Sequence, residues 1–185
     1  MNENLMNNIH KTLVVCMYGG PGVGKTTMAC GVVSDLKANH INVEYVDEYV
    51  KHLVYQNRQD ALNDQIYLFA KQRHRIATLL GKTDVIVTDS PFFMYFVYDK
   101  EQRPTLETLT VEEHNKMWTY NIFLQRIHPY VSEGRIQNED GAKRIDNDIL
   151  NLLNKHNQNY EVIKPNYFGK YSIIKQIGKL LKNKL

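Results

Sequence analysis

Gly19-Gly20-Pro21-Gly22-Val23-Gly24-Lys25-Thr26 is the stretch of this chain whose residue types and spacing most clearly serve chemistry. It fits G-x-x-x-x-G-K-[ST], and it lies between a β-prone run and a helical one, as that pattern requires. Glycines admit backbone conformations closed to other residues, so successive N–H groups can turn inward around a phosphate. A helix opening at the same point aims the positive end of its dipole at that anion. Lys25 is expected to reach the β- and γ-phosphates, and the Thr26 hydroxyl to ligate Mg²⁺, with Thr27 continuing the cradle. These residues predict binding of a nucleoside triphosphate.

Two acidic sites follow later strands. Asp47-Glu48 closes the run VEYVDEY, and Asp89-Ser90-Pro91 follows DVIVT. Asp89 has the setting of an acid that holds Mg²⁺, directly or through water; the alternative is an Asp that caps a helix. Glu48 or Asp47, with Glu48 favoured, is placed to take a proton from an acceptor hydroxyl; the alternative is a solvated acidic loop end. Arg126, Arg135, Lys143 and Arg144 bracket the polar segment HPYVSEGRIQNEDGAKR. Arginines on a flap over about 126–146 could neutralise charge on a transferring phosphoryl group, gripping two oxygens at once. Equally, they could be solvated, with Arg144 paired to Asp148 at i,i+4. The aromatic run Phe92 to Tyr98 reads as a buried helix, or at its start as a wall for a flat base. The seven histidines show no ligand spacing.

The elements that must position these groups alternate. Strands are expected at Lys11–Met17, Ile41–Val46, Asp84–Thr88, Tyr120–Leu124 and Tyr160–Lys164. Helices are expected from Lys25 to near Asn39, over Asp60–Leu80 and Lys143–His156, and from about Ser172 onward. Thr110 with Glu113 fits a capping box that opens another. Strand–helix alternation predicts a mostly parallel sheet covered on both faces, with ligands beyond the carboxyl ends of the strands.

At 185 residues, 43% of them hydrophobic and 23% charged, the chain is expected to form one ordered domain behind a polar lead-in over residues 1–11. A balance of 23 basic against 20 acidic residues is too even for a protein that lives on nucleic acid. Cys16 and Cys30 are too few for a disulfide scaffold, and a reducing compartment such as the cytoplasm is expected. No apolar run is long enough to span a membrane.

On GGPGVGKTT at 19–27, EYVK at 48–51, DQIYLFAKQ at 64–72, VIVTDSP at 85–91 and GRIQNEDGAKRID at 134–146, the chain resembles the small P-loop kinases. The resemblance is strongest to the phage and bacterial AAA-type kinase domains that include the nicotinamide riboside kinase domain. It runs from about residue 12 to 180. It implies a P-loop NTPase α/β/α sandwich with a five-stranded sheet and a small lid, acting on ATP with Mg²⁺. It assigns Glu48 as base or substrate ligand, Asp89 as the acid after strand three, and Arg135 and Arg144 as lid arginines. Lys51 stands where relatives often carry arginine. The expected activity is transfer of the γ-phosphoryl of ATP to a nucleoside, nucleotide or related small acceptor, in the cytoplasm (the host's, if phage-encoded). Two other readings stay open: a kinase for a hydroxymethylated pyrimidine in phage DNA, and a nucleotide-dependent switch with no acceptor.

Overall fold

The computed structural model describes residues 11–127 and 139–182. Its centre is β1 (Leu13–Tyr18), in which every side chain is buried. A strand buried on both faces has no polar alternation, which is why LVVCMY reads as an unbroken apolar run. Beside it lie β3 (Val85–Thr88) and β4 (Trp118–Leu124), and outside these β2 (Val43–Val46) and β5 (Tyr160–Ile163). The order is β2-β3-β1-β4-β5, and every pairing is parallel. Leu13 pairs with Val85 on one side and Trp118 on the other. The chain order reverses at β1, so the crevice at its carboxyl end is where the glycine loop emerges.

Alternate residues of β1 feed two cores. Leu13, Val15 and Met17 pack with Met28, Ala29, Val32 and Leu36 of α1 (Lys25–Ala38) and with Ile173 and Ile177 of α8 (Tyr167–Lys182). Val14, Cys16 and Tyr18 face the other layer. That layer comprises α2 (Tyr49–Tyr55), α3 (Gln59–Leu62), α4 (Gln65–Ala77), α5 (Phe93–Val97), α6 (Pro104–Asn115) and α7 (Glu139–Lys155). The result is the expected three-layer sandwich. Phe92 through Phe96 are all buried, Phe92 edge-on to Phe69, so the aromatic run is core. No helix among the described residues is long and apolar enough to cross a membrane.

Three local expectations are corrected. The helix expected over 60–80 is broken at Asn63–Asp64, where the Asp64 carboxylate accepts from the Tyr67 N–H at 3.0 Å and caps α4. Thr110 and Glu113 form no capping box, because α6 has already begun at Pro104, whose fixed φ suits a first helical position. Thr110 is buried in mid-helix, and Glu113 pairs with Arg73 and Lys116. The last helix starts at Tyr167, five residues before the expected Ser172. Residues 1–10 of the lead-in lie outside the described residues.

Two glycines of α8 make a controlled comparison. A Cβ at Gly169 would overlap the Lys164 carbonyl oxygen, whereas one at Gly178 would meet nothing within 4 Å. Gly169→Ala is expected to destabilise by about 2 kcal/mol or more. Gly178→Ala should stabilise by about 0.5–1 kcal/mol. Urea melts of the two variants beside the wild type measure both.

Candidate active site

The glycine loop follows β1 directly and runs into α1. Gly19, Gly22 and Gly24 have φ of 137°, 79° and 96°, the left-handed region that only glycine enters freely. Gly20 is required by space: a Cβ there would stand 2.7 Å from Asp146 Oδ1 and 2.8 Å from the Ala142 carbonyl oxygen. Val23 turns its side chain into the core and Pro21 turns its carbonyl to Arg126. The Lys25 ammonium closes over its own loop, donating to the Gly19 and Gly20 carbonyls at 2.7 and 3.0 Å. Burial pulls its pKa below the usual lysine range, against the opposing charges of Glu48, Asp89 and Asp146.

From the first turn of α1 the Thr26 hydroxyl donates to Asp89 Oδ2 at 2.5 Å. Asp89 follows β3 and is 2% exposed. Its other oxygen, Oδ1, is buried with no hydrogen-bond partner among the described residues. The Tyr45 hydroxyl lies beside Asp89, and burial, the Asp89 charge and a hydrogen bond to that carboxylate together raise its pKa. A hydroxyl and a carboxylate with a spare buried lone pair are hard oxygen donors that suit Mg²⁺, which binds through one or two protein oxygens and takes the rest from phosphates and water. Among the described residues no three His, Cys, Asp or Glu converge on a metal site of their own.

The two acids after β2 have opposite surroundings. Burial pushes the Asp47 carboxyl up, but Arg75, which donates to its Oδ1, and His52, at 2.9 Å from Oδ2, outweigh it and hold the pKa below the usual carboxylate range. The Asp47 carbonyl accepts from Gln72 at 3.1 Å and from Arg75 at 2.7 Å. Among the described residues Glu48, at the N-cap of α2, has no such clamp. Burial raises its pKa, with Asp89 adding to the effect and Lys25 opposing it. A carboxylate with a raised pKa is, once ionised, a stronger base than a solvated one.

Arg126, just beyond β4, donates to the Pro21 carbonyl at 3.0 Å and pairs with Asp146 of α7 at 2.9 Å. Asp146 also accepts from the Gly20 N–H at 2.5 Å. The loop is therefore braced from outside by α7. Arg144, two residues earlier on that helix, is exposed, and among the described residues it has no ion-pair partner, Asp148 included. Arg135 and most of the expected lid fall in residues 128–138, outside the described residues. Thr27 faces a cleft of about 420 Å³ beside the loop, lined also by Gly22, Met28, Pro165, Tyr167 and Lys170.

Residues 14–169 match the family described as AAA domain. The chain belongs to the AAA domain family. Among curated proteins none matches the sequence. Solved structures show the fold that this AAA domain shares. An NadR protein in complex with NAD and AMP-PNP superposes with a TM-score of 0.70 at 14% identity, over 97% of this chain and 52% of that one. An NadR protein in complex with NR gives 0.64 at 16% identity, over 95% and 52%. Thymidylate kinase from Ehrlichia chaffeensis gives 0.60 at 14% identity, over 90% and 98%. The chain thus spans about half the length of the NadR chains and nearly all of the thymidylate kinase.

The reading of the sequence missed Asp146, Gln72, Arg75 and the cleft after β5. Signals existed for two of them. Asp146 interrupts the apolar stripe Ala142, Ile145, Ile149, and Gln72, fully buried, interrupts Leu68, Phe69, Ile76. A polar group on a buried stripe must have a partner. Asp146→Ala removes a carboxylate that accepts from both Arg126 and the Gly20 N–H and should cost about 1–3 kcal/mol. It should also loosen nucleotide binding. Thermal melts and ADP calorimetry on one preparation check the two effects.

Proposed function

We propose that this AAA domain transfers the γ-phosphoryl group of ATP to a hydroxyl of a nucleoside, nucleotide or related small acceptor. One observation carries the reading: the Thr26 hydroxyl, from the loop that can cradle phosphate, meets Asp89 at the end of β3 at 2.5 Å, with Lys25 and Glu48 in the same charge cluster. The likeness of fold to NadR bound to AMP-PNP, an ATP analogue, supports ATP as donor. NadR bound to NR, and thymidylate kinase, support a nucleoside-type acceptor.

The amides from Gly22 to Thr26 and the amino end of α1 would hold the phosphates. Lys25 would exchange its two carbonyls for phosphate oxygens and follow charge as it develops between donor and acceptor. The cleft between the loop and Pro165–Lys170, with Tyr167 as its flat apolar wall, would take the base of ATP. Mg²⁺, held by Thr26 and Asp89, would neutralise charge on the phosphate oxygens. Glu48 would accept the acceptor's proton, leaving its oxygen free to attack. Asp47, tied to Arg75 and His52, would hold the backbone that aims Glu48. Arg135 and Arg144 would add cationic charge over the transferring group when an acceptor is bound.

Screening ADP release against nucleosides, nucleoside monophosphates, pyridine ribosides and DNA carrying hydroxymethylated pyrimidines tests this reading. Release with a free nucleoside or nucleotide supports it; release with the DNA alone, or with no acceptor, overturns it. Lys25→Ala should fold normally and lose turnover. Glu48→Gln should bind ATP as the wild type does and lose about 10²–10⁴-fold in kcat. Only the ionised Glu48 accepts a proton, so kcat/KM should fall as pH drops through a pKa above the ordinary glutamate range. That acid limb should be absent from the Glu48→Gln profile.

A further inference from the structure

Lys51 sits in the first turn of α2, three residues after Glu48 and so on the same side of the helix. Its ammonium nitrogen donates to the Thr26 hydroxyl at 2.9 Å and lies 3.8 Å from Asp89 Oδ2. These are the two side chains that would hold Mg²⁺. Lys25 also feels the Asp89 charge, but its ammonium donates to the Gly19 and Gly20 carbonyls and not to the Asp89 or Thr26 side chain. Among the described residues, Lys51 is the ion-pair partner of Asp89.

The two partners differ in freedom. The Asp89 side chain is 2% exposed and the Lys51 side chain 45%. The acid is fixed at the end of a buried strand, whereas the lysine reaches in from solvent on four flexible methylenes. A divalent ion about 2.1 Å from the Thr26 oxygen would stand within about 5 Å of an ammonium still bonded to that oxygen, and at such separations like charges repel by more than thermal energy. Both cannot keep these oxygens.

Resting on the metal assignment proposed above, we infer that Lys51 is a built-in competitor of the metal: it serves as counter-ion to Asp89 and Thr26, and a divalent cation that takes those oxygens expels its ammonium group. The expelled charge stays on the helix that opens with Glu48. Metal loading thereby moves a cation from the metal pair to the flank where the acceptor is proposed to bind. The lysine keeps a buried carboxylate compensated and weakens metal affinity in proportion.

The test is titration of Mn²⁺ alone, followed by the electron paramagnetic resonance of the free ion, on the full chain. Wild type, Lys51→Met, Lys51→Arg and Asp89→Asn are compared, each verified as folded by circular dichroism. Lys51→Met keeps the stem and removes the charge, and should bind Mn²⁺ about fivefold more tightly, the equivalent of a half-exposed ion pair. Lys51→Arg should stay near the wild type, and Asp89→Asn should weaken binding. A role in packing alone would not tighten metal binding. Equal or weaker binding by Lys51→Met, with Asp89→Asn still impaired, overturns the competition and leaves the metal assignment standing. Unchanged binding by Asp89→Asn overturns both.

Discussion

A carboxylate buried at the end of a central strand must be met by donors or cations, because an isolated charge there would cost several kcal/mol. Asp89 is that carboxylate, and the site is organised around meeting it. The Thr26 hydroxyl comes from the first turn of α1 and the Lys51 ammonium from α2. Two separate crossovers of the sheet are thereby drawn to one point at its carboxyl edge. The glycine loop, which leads from β1 into Thr26, is held in the same place. The amides of the glycine loop and two hard oxygen donors are thereby brought to one place by the need to satisfy one acid.

Adjacent acids on one turn are shifted in opposite directions because their neighbours differ. Arg75 and His52 favour the ionised form of the Asp47 carboxylate, and Gln72 with Arg75 holds its backbone carbonyl. Glu48 is exempt from those contacts and shares its charge environment with Lys25 and Asp89. Pairs of titratable groups whose surroundings push their pKa values apart are the usual way one scaffold separates a positioning acid from a reactive one. The buried Gln72, which also reaches Thr88 at 3.3 Å, ties this turn to the strand that leads into Asp89.

The loop is also held from behind. Asp146 joins the Gly20 N–H to Arg126, and Arg126 joins the Pro21 carbonyl, so α7 and the end of β4 fix the loop's outer side. This leaves its inner amides and the cleft toward β5 for a ligand. A rigid scaffold around an open face is what transition-state binding needs, since donors already in place have no reorganisation left to make.

Much of this was legible from residues alone. The glycine loop, the five parallel strands and the acids behind β2 and β3 follow from rules that act within about ten residues: glycine's freedom, apolar runs and helix periodicity. The aromatic run after Asp89 left two readings, and packing chose the core. Short elements escaped, because α2 is only seven residues long and the break at Asn63–Asp64 rests on a single cap. Thr110 and Glu113 resembled a helix start only because Pro104, six residues earlier, was passed over as the true one. What no local rule could supply were partners distant in the chain. Asp146 finds Gly20 across 126 positions, and Lys51 finds Thr26 across 25. The cleft joins residues near 24 to residues near 167. Local sequence determined which groups stand at the carboxyl edge of the sheet, since backbone preference is set by neighbours in the chain. Which of them touch was decided by the strand order and by the demand that each buried charge find an opposite one, and both are properties of the folded whole.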